Sequence, residues 1–333
     1  MSGGLPSRRH VLVAGVALLV AGCSSGRSRT SASSRTPGGQ PASLPPRQEY
    51  QTLASETMPD LKAAAARFVQ DIGSYANSEE YDRVLGDALR TAGTPEAADR
   101  QIREAVGPLR RPGAAVTNII YPQFGGLAPL SVEATYASVM VVFRQDHLTP
   151  DGENSTVTRV ADVRLRREAQ DWRVEGLASL GGDPVPTPVT LSEPTRRLLA
   201  NPNVQLPDPA RWDILAGRVD PRVIDLLAAL GDRAAYAVTV IRSGHPFEVI
   251  DGRSKPPVSA HSLGRAVDIW SFNGQPVTEQ GAGRAGPAVD IARRLLAERA
   301  TRQIGLPRGW DFDRGGSRIF TNEVHDDHMH LAF

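Results

Sequence analysis

The sequence predicts an α+β protein with two folded domains, a smaller one followed by one that carries the chemistry. Three observations lead there. A chain of 333 residues is too long for one average domain and suits two of roughly 150 residues each. Helical periodicity comes first and β-rich text follows it, an order typical of α+β units. A Pro/Gly break, Gly181-Gly182-Asp183-Pro184-Val185-Pro186-Thr187-Pro188, then separates the two halves.

Residues 1–22 read as a targeting segment and stay outside the fold argument. Arg8 and Arg9 supply the positive charge, and residues 11–21 form an apolar run well short of the ~20 residues that span a bilayer. The run ends in Val20-Ala21-Gly22-Cys23, which resembles the lipobox of bacterial lipoproteins. That resemblance implies cleavage before Cys23, a lipid on its thiol and an extracytoplasmic protein anchored to the cell membrane. Ser7-Arg8-Arg9 is similar to a twin-arginine export signal. Cys23 is the single cysteine of the chain, so the lipidated protein would keep neither a thiol nor a disulfide. Residues 24–48 are mostly Ser, Gly, Pro and Arg with almost nothing apolar, too polar to bury a core. They read with Cys23 as a tether over 23–50, with a typical reach of roughly 25–30 Å.

The first domain is expected over 51–180. Leu61, Ala65, Phe68, Val69 and Ile72 repeat at three- and four-residue spacing and define one helix. Further helical stretches are expected near 81–89 and 95–106. Residues 132–143, 157–165 and 172–177 are rich in β-branched and aromatic side chains and predict strands, the last two joined by the turn Glu168-Ala169-Gln170-Asp171. Asn154-Ser155-Thr156 reads as a turn. Lysine occurs only at Lys62 and Lys255 in an arginine-rich chain, which reads as compositional bias. No convergent set of polar residues stands out in this domain, so no function is read from it.

After a linker at 181–194, the second domain is expected over 195–333. Asp220-Pro221 opens a helix, with Asp as the cap and Pro in the first turn. Residues 237–241 read as a buried strand, Pro287 opens another helix, and 328–333 form the last strand. Trp270, Trp310 and Phe312 are read as core packing ahead of a cleft wall.

Asp268 lies within the apolar run Ala266-Val267-Asp268-Ile269, where a strand should be buried. A buried carboxylate is costly unless it is paired or bound to a metal. Five of the seven histidines lie between His245 and His330, three of them in the ending "HDDHMHLAF". In a strand, His328 and His330 share one face while Met329 and Leu331 point to the other. His261, Asp268 and one of the final histidines would form a three-ligand N/O site. Three protein ligands with an open position describe catalytic zinc, whereas structural zinc usually closes its shell with cysteines, none of which remain.

His261 and Asp268, with Ser259, Gly264 and Ala266, fit the pattern Ser-x-His-x-x-Gly-x-Ala-x-Asp, and the ending fits His-x-x-His-x-His. Together they resemble the zinc peptidases of the bacterial cell wall, D-Ala-D-Ala carboxypeptidases and murein endopeptidases, which share a core with lysostaphin-type enzymes and the hedgehog domain. The resemblance covers about residues 195–333. It implies a hedgehog/D-Ala-D-Ala-peptidase-like fold, with His261, Asp268 and His330 as Zn2+ ligands and peptidoglycan peptides as substrates. His328 would stand beside the reacting carbonyl. Asp327 occupies the slot where many carboxypeptidases of the group carry a glutamate. The general base stays open among Asp327, His325 and His328. Arg242-Ser243-Gly244-His245 is similar to the segment that lines the family's cleft, which makes Arg242 and Ser243 candidates for substrate binding.

Other readings compete. A net charge of +1 argues against nucleic-acid binding. The glycine-rich stretch 281–286 matches a dinucleotide fingerprint in letters only, since no βαβ unit frames it, and no nucleotide is expected. His10 and His147 are read as ordinary polar residues, and His245 is left open. The alternative to a peptidase is a non-catalytic zinc lipoprotein that binds peptidoglycan or a protein.

Overall fold

The computed structural model describes residues 43–53, 55–129, 134–186, 189–250, 253–255, 257–280, 286–310, 312 and 318–333. The leader, Cys23 and most of the 281–286 stretch lie outside them. Among the described residues no helix is long and apolar enough to cross a membrane.

Helices α1 (Pro59–Gly73), α2 (Tyr81–Thr91) and α3 (Glu96–Ala105) come first, close to the expected stretches. They pack on an antiparallel sheet of β1 (Ala114–Pro129), β2 (Ala134–Leu148), β3 (Asn154–Glu168) and β4 (Asp171–Ser179), in that spatial order. The predicted face of α1 is buried: Leu61, Ala65, Phe68, Val69 and Ile72 meet Phe124, Val139, Val141, Phe143 and Val163. The predicted turn joins β3 to β4, with Ala169 at φ 56°. Asn154-Ser155-Thr156 opens β3 instead of forming a turn.

Strand β1 has no counterpart in the sequence reading. Pro122 and the pair Gly125-Gly126 interrupt its pattern, and both are normal breakers. The strand persists because it lies at the sheet edge, where a proline can forgo a ladder bond. Its pairing with β2 slips between Ile119 and Tyr121 and again between Phe124 and Leu127.

The second half supplies α4 (Glu193–Ala200), β5 (Val204–Gln205), α5 (Asp208–Leu215), α6 (Pro221–Gly231), β6 (Tyr236–Val240), β7 (Ala266–Phe272) and β8 (Gln275–Pro276). It continues with α7 (Pro287–Glu298), β9 (Gln303–Leu306), β10 (Ile319–Thr321) and β11 (Met329–Ala332). The sheet runs β10-β9-β11-β7-β6-β5, with β8 paired to β7. Asp220 caps α6 by accepting the Arg222 N–H at 3.0 Å. Met329 and Leu331 are fully buried in this core, as the alternation of β11 requires, and Trp310 joins them with Phe312 packed alongside.

Each sheet has its own hydrophobic core. A third, small cluster links them: Met140, Val142 and Val160, from the far face of the first sheet, meet Val240 of β6. Strand β2 is therefore buried on both faces, and the described residues from Ser43 onwards belong to one compact unit.

Candidate metal centre

His261 sits in a 3-10 turn, Ala260–Leu263, that leads into β7. Ser259 caps the turn by accepting the His261 N–H at 3.3 Å. Gly264 closes it at φ 67°, and a Cβ there would lie 2.1 Å from the Arg218 carbonyl oxygen, so only glycine fits. Strand β7 then carries Asp268 between β6 and β11, and His330 is its direct partner across the β7/β11 ladder. Local turn chemistry and strand register thus bring together three residues separated by up to 69 positions.

The three donor atoms form a nearly equilateral triangle. His261 Nε2 lies 3.1 Å from Asp268 Oδ1 and 3.1 Å from His330 Nδ1, and His330 Nδ1 lies 2.9 Å from Asp268 Oδ1. Donor atoms this close together could be shared by one ion at ordinary zinc–ligand distances of about 2.0–2.2 Å. His261 donates its Nδ1–H to the Ile241 carbonyl at 2.7 Å, which aims Nε2 at Asp268 Oδ1. A proton or a cation between the two makes that contact favourable. Burial would push the Asp268 carboxyl up, but the facing His261 and His328 outweigh it and hold it well below the usual carboxylate range. Burial lowers His330 in spite of Asp268, which keeps its imidazole neutral and able to ligate.

His245 belongs to the same cluster. Its ring stacks on His261 at 4.0 Å between centroids, 14° from parallel. Its Nδ1–H donates to the Pro246 carbonyl at 2.8 Å, and burial keeps it neutral, so Nε2 is free to donate its lone pair. Ligand atoms of His245, His261 and Asp268 all lie within 4.8 Å of one another, and this buried group could hold a metal ion. His245 thus stands beside the triangle of His261, Asp268 and His330 as a further candidate ligand.

His328 donates Nδ1–H to Asp327 Oδ1 at 2.7 Å and presents Nε2 3.6 Å from Asp268 Oδ2. Burial would lower His328, but Asp268 and Asp327 together raise it. Asp327 itself is fully buried and does not line the cleft. Its Oδ2 accepts the Phe124 N–H at 2.7 Å and pairs with Lys62 Nζ at 2.7 Å. Lys62 also pairs with Glu56 Oε2 at 2.9 Å, and Glu56 accepts the Tyr50 hydroxyl. Burial would raise Asp327, but Lys62 and His328 lower it below its ordinary value. His325 bonds through Nδ1 to Asn322 Oδ1 at 2.6 Å and meets the Phe320 ring edge-on.

These groups stand at a cleft of about 490 Å³ whose walls include Gln123, Met140, His245, Phe320, His325 and His328. Two sequence candidates are placed elsewhere. Ser243 gives its N–H and hydroxyl to buried Asp213 at 2.7 and 2.8 Å, and Arg242 donates Nε to the Ser262 carbonyl at 3.0 Å. Neither lines the cleft.

Sequence reasoning missed Gln123 and Lys62. Gln123 Nε2 donates to Asp268 Oδ2 at 2.7 Å. Its strand was hidden by Pro122 and the glycines. For Lys62 a signal existed: in a chain with two lysines, this one follows Leu61 and precedes Ala66 and Val69 by four and seven residues, on the buried face of α1. A lysine there needs a buried anion.

Comparison with family models, curated proteins and solved structures returns no match to this chain.

Proposed function

We propose that the chain is a membrane-anchored zinc peptidase that hydrolyses peptide bonds of peptidoglycan, held to the membrane through a lipid on Cys23. The observation that carries this reading is the triangle of unspent donors. Two imidazole nitrogens and one carboxylate oxygen stand 2.9–3.1 Å apart, beside a cleft of about 490 Å³. Two nitrogens and one oxygen suit zinc better than calcium or magnesium, which favour oxygen-rich shells. A bound zinc ion would supply Lewis acidity, activating a water and polarising the scissile carbonyl.

The protein's own part is binding, orientation and proton movement. Asp268 keeps one oxygen for the ion, because Gln123 holds the other. His328 offers Nε2 to the reacting centre, with its tautomer set by Asp327. The burial of Asp327 in an ion pair with Lys62 favours His328 over Asp327 for the proton-moving role. His325, whose ring lies 4.9 Å from that of His328 and is fixed by Asn322, is suited to the leaving amine or to the substrate's carboxylate.

The test is turnover. The purified chain, loaded with zinc and incubated with muropeptides, is expected to release D-alanine or cleave cross-links. The His330→Ala variant and a chelated parent should release neither. A zinc-loaded parent that binds muropeptides without product would favour the non-catalytic binding role.

A further inference from the structure

We infer that the N-terminal half is a working part of the metal centre, with Gln123 and Lys62 as positioning residues. This rests on reading the His261, Asp268 and His330 cluster as a metal site. Strand β1 reaches the site at consecutive points. The Tyr121 ring stacks on Trp270 of β7 at 4.5 Å and 11°, and its hydroxyl donates to the Asp327 carbonyl at 2.9 Å. Two residues on, Gln123 lies on the same side of the strand and donates Nε2 to Asp268 Oδ2. The next residue, Phe124, buries its ring among the helices and gives its N–H to Asp327 Oδ2.

The consequence for each carboxylate is geometric. Asp268 has its Oδ2 bound by Gln123 at 2.7 Å, so Oδ1 alone points at the two imidazoles. Without that amide the carboxylate is free to rotate about its last bond and lose the triangle. Asp327 is gripped at three places, by Lys62 Nζ, the Phe124 N–H and His328 Nδ1–H, and the first two belong to the N-terminal half. Lys62 is itself fixed by Glu56, so α1 sets the direction in which His328 Nε2 points. Outer partners of this kind orient ligands and tune a metal, and their loss typically costs 10–100-fold in affinity or activity.

The two residues should leave different signatures, which a purely structural role would not. In the full chain, Gln123→Met is expected to weaken zinc affinity by roughly 10–100-fold in competition with a chromophoric chelator. Gln123→Asn, too short to reach Asp268, should do the same if the methionine variant fails to fold. The double variant Lys62→Met, Glu56→Gln removes a balanced charge pair. It should keep zinc affinity within about threefold of the parent, yet lose the protected His328 Nδ1–H resonance in NMR and about tenfold in kcat at similar KM. Folded Gln123 variants that bind zinc as tightly as the parent would overturn the inference, as would an unchanged His328 resonance in the double variant. A parent chain that binds no zinc sinks the underlying reading as well. One that binds zinc with indifferent variants sinks this inference alone.

Discussion

Two buried polar clusters meet at His328, and they are built on opposite principles. In the N-terminal one, Lys62 stands between Glu56 and Asp327, so each charge is answered within about 3 Å by another. In the C-terminal one, His261 Nε2, Asp268 Oδ1 and His330 Nδ1 turn three potential ligand atoms towards a common point. Burial and charge are shared by both. What distinguishes a binding centre from internal glue is whether the lone pairs have been spent.

The comparison breaks or sharpens most clearly through stability in chelator, where no metal can help either cluster. Lys62→Ala leaves two buried carboxylates without their cation and should cost about 3–5 kcal/mol in urea unfolding. Asp268→Asn keeps an oxygen for its neighbours and leaves no buried carboxylate unpaired, and should cost less, about 1–3 kcal/mol under the same conditions. Equal losses would erase the distinction. With zinc at a hundred times its dissociation constant, the parent should gain about 2.7 kcal/mol and the Asp268 variant almost nothing.

The smallest effect belongs to a position outside both clusters. Asp220 caps α6 and bonds Arg222, and that hydrogen bond lowers its carboxyl to about 2 from the ordinary 3.8. Asp220→Ala should cost about 1 kcal/mol at neutral pH. A carboxylate lowered by folding contributes fully above its ordinary value, and the contribution is lost as pH falls through the folded value. The gap in thermal stability between parent and variant should therefore narrow from pH 4 towards pH 2. A gap that stays constant would show that ionisation of Asp220 has no part in the cap.

The site's inner residues were legible because their constraints are local. Gly264 is forced by a turn, Asp268 stands out against an apolar strand, and the alternation of Met329 and Leu331 fixes the face of His330. What the sequence hid depends on contacts across the chain. Gln123 is an unremarkable letter between a proline and two glycines, and it gains its role only because an edge strand tolerates those breakers. Asp327 invites a catalytic reading from its spacing to His330, yet nothing local says that Lys62, 265 positions earlier, will occupy its carboxylate. His245 lies sixteen residues before His261 in sequence, and a ring stack brings it into the cluster. The sequence reading treated the two halves separately, and the cluster of Met140, Val142, Val160 and Val240 joins their sheets.

Anomalous diffraction at the zinc edge, on crystals of the zinc-loaded chain, tests the central claim most directly. One peak is expected about 2.0–2.2 Å from His261 Nε2, Asp268 Oδ1 and His330 Nδ1 together, with His328 outside its coordination shell. Absence of a peak there, or an ion held by other side chains, would contradict the account.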